Sequence, residues 1–244
     1  MPILALLFGL IWGSFLGVVK DRLDDPRSIF WGRSKCVKCK RTLGLIDLVP
    51  IISFVFLRGK CRYCKQPIAL SHLIVEVLSA GLAIATYIFY GLSASSFILF
   101  CSLSFLMLAS LSDIENQEVD MAIFLIGIIF AVVFQVMSGY LLQGMILGSI
   151  SFALIPFLLY LISREKWMGL GDTFFALWAG ILVGFPQSIA MVFVAFFIGA
   201  VFGIIKLLSG TTSHRVAFGP FLAVSAIFGV FYSSVILDYL QVFY

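Results

Sequence analysis

Eight apolar stretches run through this chain with few charges inside them, at about residues 3–19, 73–91, 96–112, 121–138, 141–162, 173–185, 187–208 and 217–237. All but the sixth are long enough to cross about 30 Å of hydrocarbon as a helix. The runs are continuous rather than alternating, which excludes a membrane β-barrel. With 62% hydrophobic and only 11% charged residues, the composition also lies outside the range of soluble domains. The expected fold is therefore an all-α polytopic membrane protein with about eight transmembrane helices. The short sixth run is expected to begin before Asp172, bringing that acid into the first turns of its helix. No basic residue precedes the first run, and Lys20, Asp21 and Arg22 follow it directly. It therefore reads as a retained helix rather than a cleaved leader.

Basic residues set the expected orientation. Twelve of the sixteen Lys and Arg lie between Lys20 and Lys65, and the others are Arg164, Lys166, Lys206 and Arg215. Eight spans with the N-terminus outside put all of them on the cytoplasmic side of the membrane. The opposite connectors, 91–95, 138–140 and 185–188, contain none. The net charge of +4 thus reflects orientation in lipid and not a nucleic-acid surface.

Three regions follow: a first transmembrane helix (1–19), a polar loop domain (20–72) and a seven-helix membrane domain (73–244). The loop carries Cys36-Val37-Lys38-Cys39 and Cys61-Arg62-Tyr63-Cys64, two C-x-x-C pairs separated by 21 residues. Paired knuckles of this kind suit a tetrahedral four-thiolate zinc site with a structural role, since four protein ligands leave no open position. Lys35, Lys38, Lys40, Lys60, Arg62 and Lys65 would offset the thiolate charge. Two disulfides are the rival reading, disfavoured in a reducing compartment. A redox C-x-x-C is the other. Residues 48–57 are apolar but too short to span, and fit either a small core or a segment dipping into the membrane interface. Cys101, inside an apolar run, reads as a small buried hydrophobe.

Acids at the ends of apolar runs point to chemistry, because a charge at membrane depth is costly. Met168-Gly169-Leu170-Gly171-Asp172-Thr173 opens the sixth run, and its glycines at 169 and 171 allow close backbone approach. Asp113 abuts the third run, and the expected topology puts it at the same face as Asp172. Two carboxylates this placed can share one proton near neutral pH. One would activate water while the other polarises a peptide carbonyl, as an aspartyl protease requires. Glu115, Glu118 and Asp120 read as a solvated loop. His72 and Glu76 share a helix face, either as a polar face toward the bundle or loop domain or as a metal pair. Gly13, Ser14 and Gly17 suit close helix packing, and Phe218-Gly219-Pro220-Phe221 reads as a helix start or kink.

Taken in order, these stretches resemble the type IV prepilin peptidase family. The likeness runs through the first helix, Gly13-Ser14-Phe15-Leu16-Gly17-Val18-Val19-Lys20-Asp21-Arg22-Leu23, then Arg58-Gly59-Lys60-Cys61-Arg62-Tyr63-Cys64 and Glu76. It continues through Asp113, Gly169-Leu170-Gly171-Asp172 and Phe218-Gly219-Pro220-Phe221. The resemblance implies that Asp113 and Asp172 form the dyad of a G-x-G-D aspartyl protease. The implied substrates are prepilins or pseudopilins, cut after glycine between a basic leader and an apolar helix. It also implies S-adenosylmethionine-dependent methylation of the new N-terminus. Glu115, Glu118, Asp120 and Glu76 are then expected contacts for the substrate. Gly17, Asp21, Asp120 and Phe174 depart from the family pattern, where Asn, Tyr, Pro and Lys are usual. Two alternatives stay open: a peptidase-only relative, and a proton- or metal-coupled transporter relaying charge through Asp113, Asp172 and Glu76. The chain shows no clear repeat, and its acids lie at one face rather than the midplane, which weighs against transport.

Overall fold

The computed structural model describes residues 1–23, 32–117, 120–209 and 217–232. Among these, nine α-helices form and no strand longer than an isolated bridge. They are α1 (Pro2–Asp21), α2 (Ile52–Phe56), α3 (Leu70–Tyr90), α4 (Ala94–Asn116), α5 (Met121–Met137), α6 (Leu142–Ser163), α7 (Leu170–Val183), α8 (Gln187–Leu208) and α9 (Gly219–Phe231). Apart from short α2, each overlaps one of the eight expected apolar runs. Five of them (α1, α3, α4, α6 and α8) are long and apolar enough to cross a membrane. The apolar helices α5, α7 and α9 are shorter, at 17, 14 and 13 residues. As expected, α7 begins before Asp172.

The chain divides into two compact units, Met1–Gly91 and Leu92–Tyr244. The sequence-based division grouped α3 with the later helices, whereas in the structure it shares a unit with α1. The reason is a ladder of small residues. Gly9, Gly13 and Gly17 recur every fourth position on α1, so they line one helix face. A Cβ on Gly9 would lie 2.7 Å from Ala80 Cα, and one on Gly13 would lie 2.7 Å from Glu76 Cα. One on Gly17 would meet His72 Nδ1 at 2.9 Å. Side chains larger than hydrogen would push the helices apart. Gly17, where the family usually has Asn, thus leaves room for the His72 ring. That ring in turn approaches Asp21, Nε2 to Oδ2 at 3.4 Å.

In the second unit α4 is the most enclosed helix, with buried residues on every side from Leu99 to Ala109. Trp178 of α7 donates through Nε1 to Ser102 Oγ at 3.1 Å, and Ser102 donates to the Gly127 carbonyl of α5 at 2.9 Å. The indole fills the place of a side chain at Gly127, where a Cβ would overlap it. Gln135 of α5 donates to the carbonyls of Ile181 and Leu182 at 2.6 and 2.9 Å, satisfying the C-terminal end of short α7. α6 and α7 touch backbone to backbone, with a Cβ on Gly148 only 2.6 Å from the Gly180 carbonyl. Finally, α9 packs against α8, α7 and α4 together. It is the element that ties the end of α4 to the start of α7.

Candidate active site and cysteine cluster

Asp113 sits in the last turn of α4, four residues before the C-capping Gln117, and its side chain is buried. A buried carboxylate needs donors, and the partner comes from another helix. The backbone N–H of Gly219, first residue of α9, donates to Asp113 Oδ2 at 3.1 Å. Helix N-terminal N–H groups have no partner within their own helix and carry the positive end of its dipole, so a carboxylate there is stabilised. The next residue, Pro220, has no N–H to leave unpaired, which suits it to the first turn. A Cβ on Gly219 would lie 2.7 Å from Asp113 Oδ2 and 3.1 Å from Phe175 Cε2, so only glycine permits this approach.

The phenylalanines on either side fix where α9 starts. Phe218 packs against Phe196 and Phe221 with ring centroids 4.9 and 5.6 Å apart, and Phe221 packs against Phe202 at 5.4 Å. Gly199 of α8 makes room for Phe218, whose Cε2 would be 2.7 Å from a Cβ there. Phe218-Gly219-Pro220-Phe221, expected to be a helix start, is one, and it also supports the acid. No sequence spacing links position 219 to 113, so the sequence reading did not find that role.

Asp172 is the third residue of α7 and accepts from the Gly169 N–H through Oδ2 at 3.1 Å. This is half of a capping box, with the carboxylate reaching back to the N-cap amide. Gly169 has an extended backbone and room to spare: a Cβ would lie 3.8 Å from Asp172 Oδ2. Gly171 is the second residue of the helix. The start of α9 brings Asp113 to the first turns of α7, which carry Asp172: one point at Gly219 lies 2.7 Å from Asp113 Oδ2 and 3.1 Å from Phe175 Cε2. Next to Asp172 in the chain, the buried hydroxyl of Thr173 has no hydrogen-bond partner among the described residues. Phe174, in place of the family's Lys, packs on Phe124 with centroids 5.2 Å apart.

The remaining acids are spread out. Glu115 is exposed in the turn after Asp113. Asp120 caps α5, its Oδ1 accepting from Ala122 and Ile123 at 2.8 and 3.1 Å, which explains an acid at that position. Glu118 lies outside the described residues. Glu76 belongs to the first unit, where its Oε2 accepts the Ile51 N–H at 2.7 Å. Of the two readings for the His72–Glu76 face, this contact matches the one turned toward the loop domain.

Also in the first unit, the two C-x-x-C pairs form matching knuckles. Cys36 and Cys61 donate their N–H groups to Arg41 and Gln66 at 2.9 and 2.8 Å, while Lys40 and Lys65 donate back to Cys36 and Cys61. Both lysines take the same left-handed turn, with φ of 58° and 59°. The isolated bridges Lys35–Thr42 and Lys60–Pro67 close the two loops. This repetition brings the sulfurs of Cys36, Cys39, Cys61 and Cys64 within 4.8 Å of one another. Cys36 Sγ and Cys64 Sγ are 3.8 Å apart, close to the edge of a tetrahedron with zinc–sulfur bonds of about 2.3 Å. The Cys39 backbone amide pulls the Cys36 thiol down to about 6. Against the lowering effect of the Gln66 amide, desolvation and the neighbouring sulfurs push Cys64 up to about 11. Four thiols this close cannot all ionise alone, and a divalent cation supplies the compensating charge. The donor set fits zinc.

Behind the knuckles, between α1, α3 and the loop, lies a cavity of about 700 Å³. Its lining is net basic, with Arg22, Arg33, Lys35, Lys38, Lys40 and Arg62 against the acids Asp21, Asp47 and Glu76, beside the apolar Phe54 and Leu73. The volume lies within the range of small-molecule sites.

Comparison with known proteins follows the same two-part division. Residues 7–90 match the family model described as the bacterial peptidase A24 N-terminal domain, and residues 98–204 match the type IV leader peptidase family. A prepilin leader peptidase/N-methyltransferase of Bacillus subtilis is 30% identical over 239 residues, covering 96% of this chain and 95% of that protein. A type 4 prepilin-like proteins leader peptide-processing enzyme of Escherichia coli is 28% identical, with 93% and 92% covered. A prepilin leader peptidase/N-methyltransferase of Pectobacterium carotovorum is 26% identical, with 92% and 90% covered. No solved structure matches the chain.

Proposed function

The chain belongs to the type IV leader peptidase family, and from that premise we propose that it is a membrane-embedded aspartyl endopeptidase acting on prepilins or pseudopilins. The observation that carries the reading is the pair Asp113 and Asp172, each with Oδ2 held by a backbone N–H. Both acids accept from backbone N–H groups at helix N-termini, and among the described residues neither pairs with a cation, so one can hold a proton while the other is ionised. The ionised carboxylate takes a proton from water as it attacks the scissile carbonyl. The protonated one polarises that carbonyl, then returns its proton to the leaving amine. On substrate binding, the Thr173 hydroxyl, without a partner among the described residues, is proposed to take up the water or the substrate backbone.

All eight long or medium apolar helices are proposed to cross the membrane, with the N-terminus outside and the basic loop in the cytoplasm. At 14 residues α7 is about 21 Å long, shorter than about 30 Å of hydrocarbon. Its Asp172 end therefore meets substrate at or below the membrane surface, where a basic leader joins an apolar helix. Glu115 and Asp120 would face the leader, and their charge suits it; Glu118 is proposed as a contact on its charge alone.

The relatives' names add N-methyltransferase, and we extend the proposal to methylation of the new N-terminus with S-adenosylmethionine as donor. The cavity of the first unit has room for that molecule: Asp21 and Glu76 can accept from its hydroxyls and ammonium group, the basic residues of the lining suit its carboxylate, and Phe54 and Leu73 suit its base. When bound, it supplies an electrophilic methyl group to the freed amine. Zinc on Cys36, Cys39, Cys61 and Cys64 has a structural role, bracing the wall of this cavity to which Cys36 and Cys61 contribute.

The test is incubation of the purified protein in lipid with a prepilin and isotopically labelled S-adenosylmethionine, followed by intact mass of the pilin. Loss of the leader with gain of one labelled methyl group is expected. Leader loss alone selects a peptidase-only enzyme, and a pilin left intact refutes the proposal.

A further inference from the structure

From sequence, residues 48–57 fit two readings, a small core or a membrane-dipping segment. The structure gives them no core. Neither the 3-10 turn Leu45–Leu48 nor α2 has a single buried residue. Two faces separate instead. Leu48, Phe54 and Leu57 line the cavity described above. Leu45, Ile46, Val49, Ile52, Val55 and Phe56 face outward, with Leu45 and Phe56 88% and 83% exposed. Ile52, Val55 and Phe56 follow i, i+3, i+4 spacing and so share one side of α2.

The depth of this segment is fixed by one hydrogen bond. Glu76 lies six residues inside α3, about 9 Å from its start, and its carboxylate accepts the Ile51 N–H at 2.7 Å. Glu76 also packs against Gly13, which is eight residues, about 12 Å, inside the other end of α1. The apolar segment is thus pinned beside the terminal turns of two helices long enough to span, below their polar ends. Ile51 is held there at a φ of 58°, an outlier for a β-branched residue. Around the segment, Lys35, Lys38, Lys40, Arg41, Arg58, Lys60, Arg62 and Lys65 are all exposed, while the nearby acids include Asp47, which pairs with Arg62, and Glu76, which holds the Ile51 N–H.

An outward apolar face at the depth of helix ends, rimmed by cations, has the chemistry of an interfacial membrane element. We propose that residues 45–57 insert their outer face into the bilayer interface, while the surrounding lysines and arginines engage anionic lipid headgroups. The segment then closes the cavity of this unit against lipid. The inference requires that α1 and α3 cross the bilayer, but not that the protein cleaves prepilins.

The test uses the full chain reconstituted in phosphatidylcholine bilayers with and without phosphatidylglycerol. A photoreactive phenylalanine analogue replaces Phe56 or, as the inward-facing control, Phe54. Zinc content verifies that the loop is folded in each variant. Illumination should attach lipid at position 56 but not at 54. Adducts should increase with phosphatidylglycerol and fall about fivefold or more when Lys38→Glu and Lys60→Glu are combined. Crosslinks from 56 to protein, whether within the chain or to a second copy, would overturn the proposal, as would the absence of lipid adducts. Lipid adducts insensitive to phosphatidylglycerol and to charge reversal would overturn the headgroup contact.

Discussion

Gly219→Ala adds one methyl group and tests whether the α9 N-terminus supports catalysis. The new Cβ would lie 2.7 Å from Asp113 Oδ2 and 3.1 Å from Phe175 Cε2. Ordinary carbon–oxygen contact is near 3.3 Å, so roughly half an ångström of overlap must be relieved in a close-packed site. Phe175 is buried at 1% exposure and cannot turn away freely. The carboxylate therefore moves, and its 3.1 Å bond to the Gly219 N–H is stretched or lost. A hydrogen bond to a charged group contributes about 1.5–3 kcal/mol, which corresponds to a rate loss of about 10- to 100-fold. The loss should appear in kcat, with KM for prepilin little changed, because the leader and the pilin helix still have their contacts. The assay is timed processing of a purified prepilin by the reconstituted protein, read by intact mass, with thermal unfolding measured alongside. Wild-type kcat in Gly219→Ala would refute the argument that this amide positions Asp113.

Other perturbations follow from the same geometry. Gly13→Val forces a side chain into Glu76 Cα, only 2.7 Å from even the first added carbon. Overpacking should destabilise the first unit by about 1–3 kcal/mol, visible as a lower unfolding midpoint in detergent. Cys61→Ser removes the most buried ligand of the cluster. Bound zinc should fall from one ion per chain to near zero by elemental analysis, with loss of protease resistance across the loop. Thr173→Val keeps the shape of the side chain but removes a buried hydroxyl that has no partner among the described residues. It should slow cleavage without lowering the unfolding temperature; a lower temperature with unchanged cleavage would mean the hydroxyl serves packing alone.

Much of this was legible in the sequence, for physical reasons that differ by element. Continuous apolar runs located the helices because lipid leaves the backbone no other way to satisfy its polar groups. The two C-x-x-C pairs announced a metal site because ligand spacing within a knuckle is local. Asp113 and Asp172 stood out because acids at helix ends are costly unless used. Contacts between distant parts of the chain were not legible. Nothing in the spacing tells that Gly219 donates to Asp113, that Glu76 holds Ile51, or that Trp178 fills the space at Gly127. Nor could hydropathy assign α3 to α1, since it measures how apolar a run is and not which face is smooth. The Gly9-Gly13-Gly17 ladder was partly read, through Gly13 and Gly17, but its partner helix became known only from the packing.

The most direct test of the central claim is prepilin cleavage by Asp113→Asn and Asp172→Asn variants, compared with wild type under one set of lipid conditions. Asn keeps the shape and can still accept the Gly219 or Gly169 N–H, but it can neither ionise nor carry the shared proton. The account predicts a fall of at least about 1000-fold for each variant, with bound zinc and thermal unfolding unchanged. Processing within tenfold of wild type by either variant would contradict the assignment of these two acids as the catalytic pair.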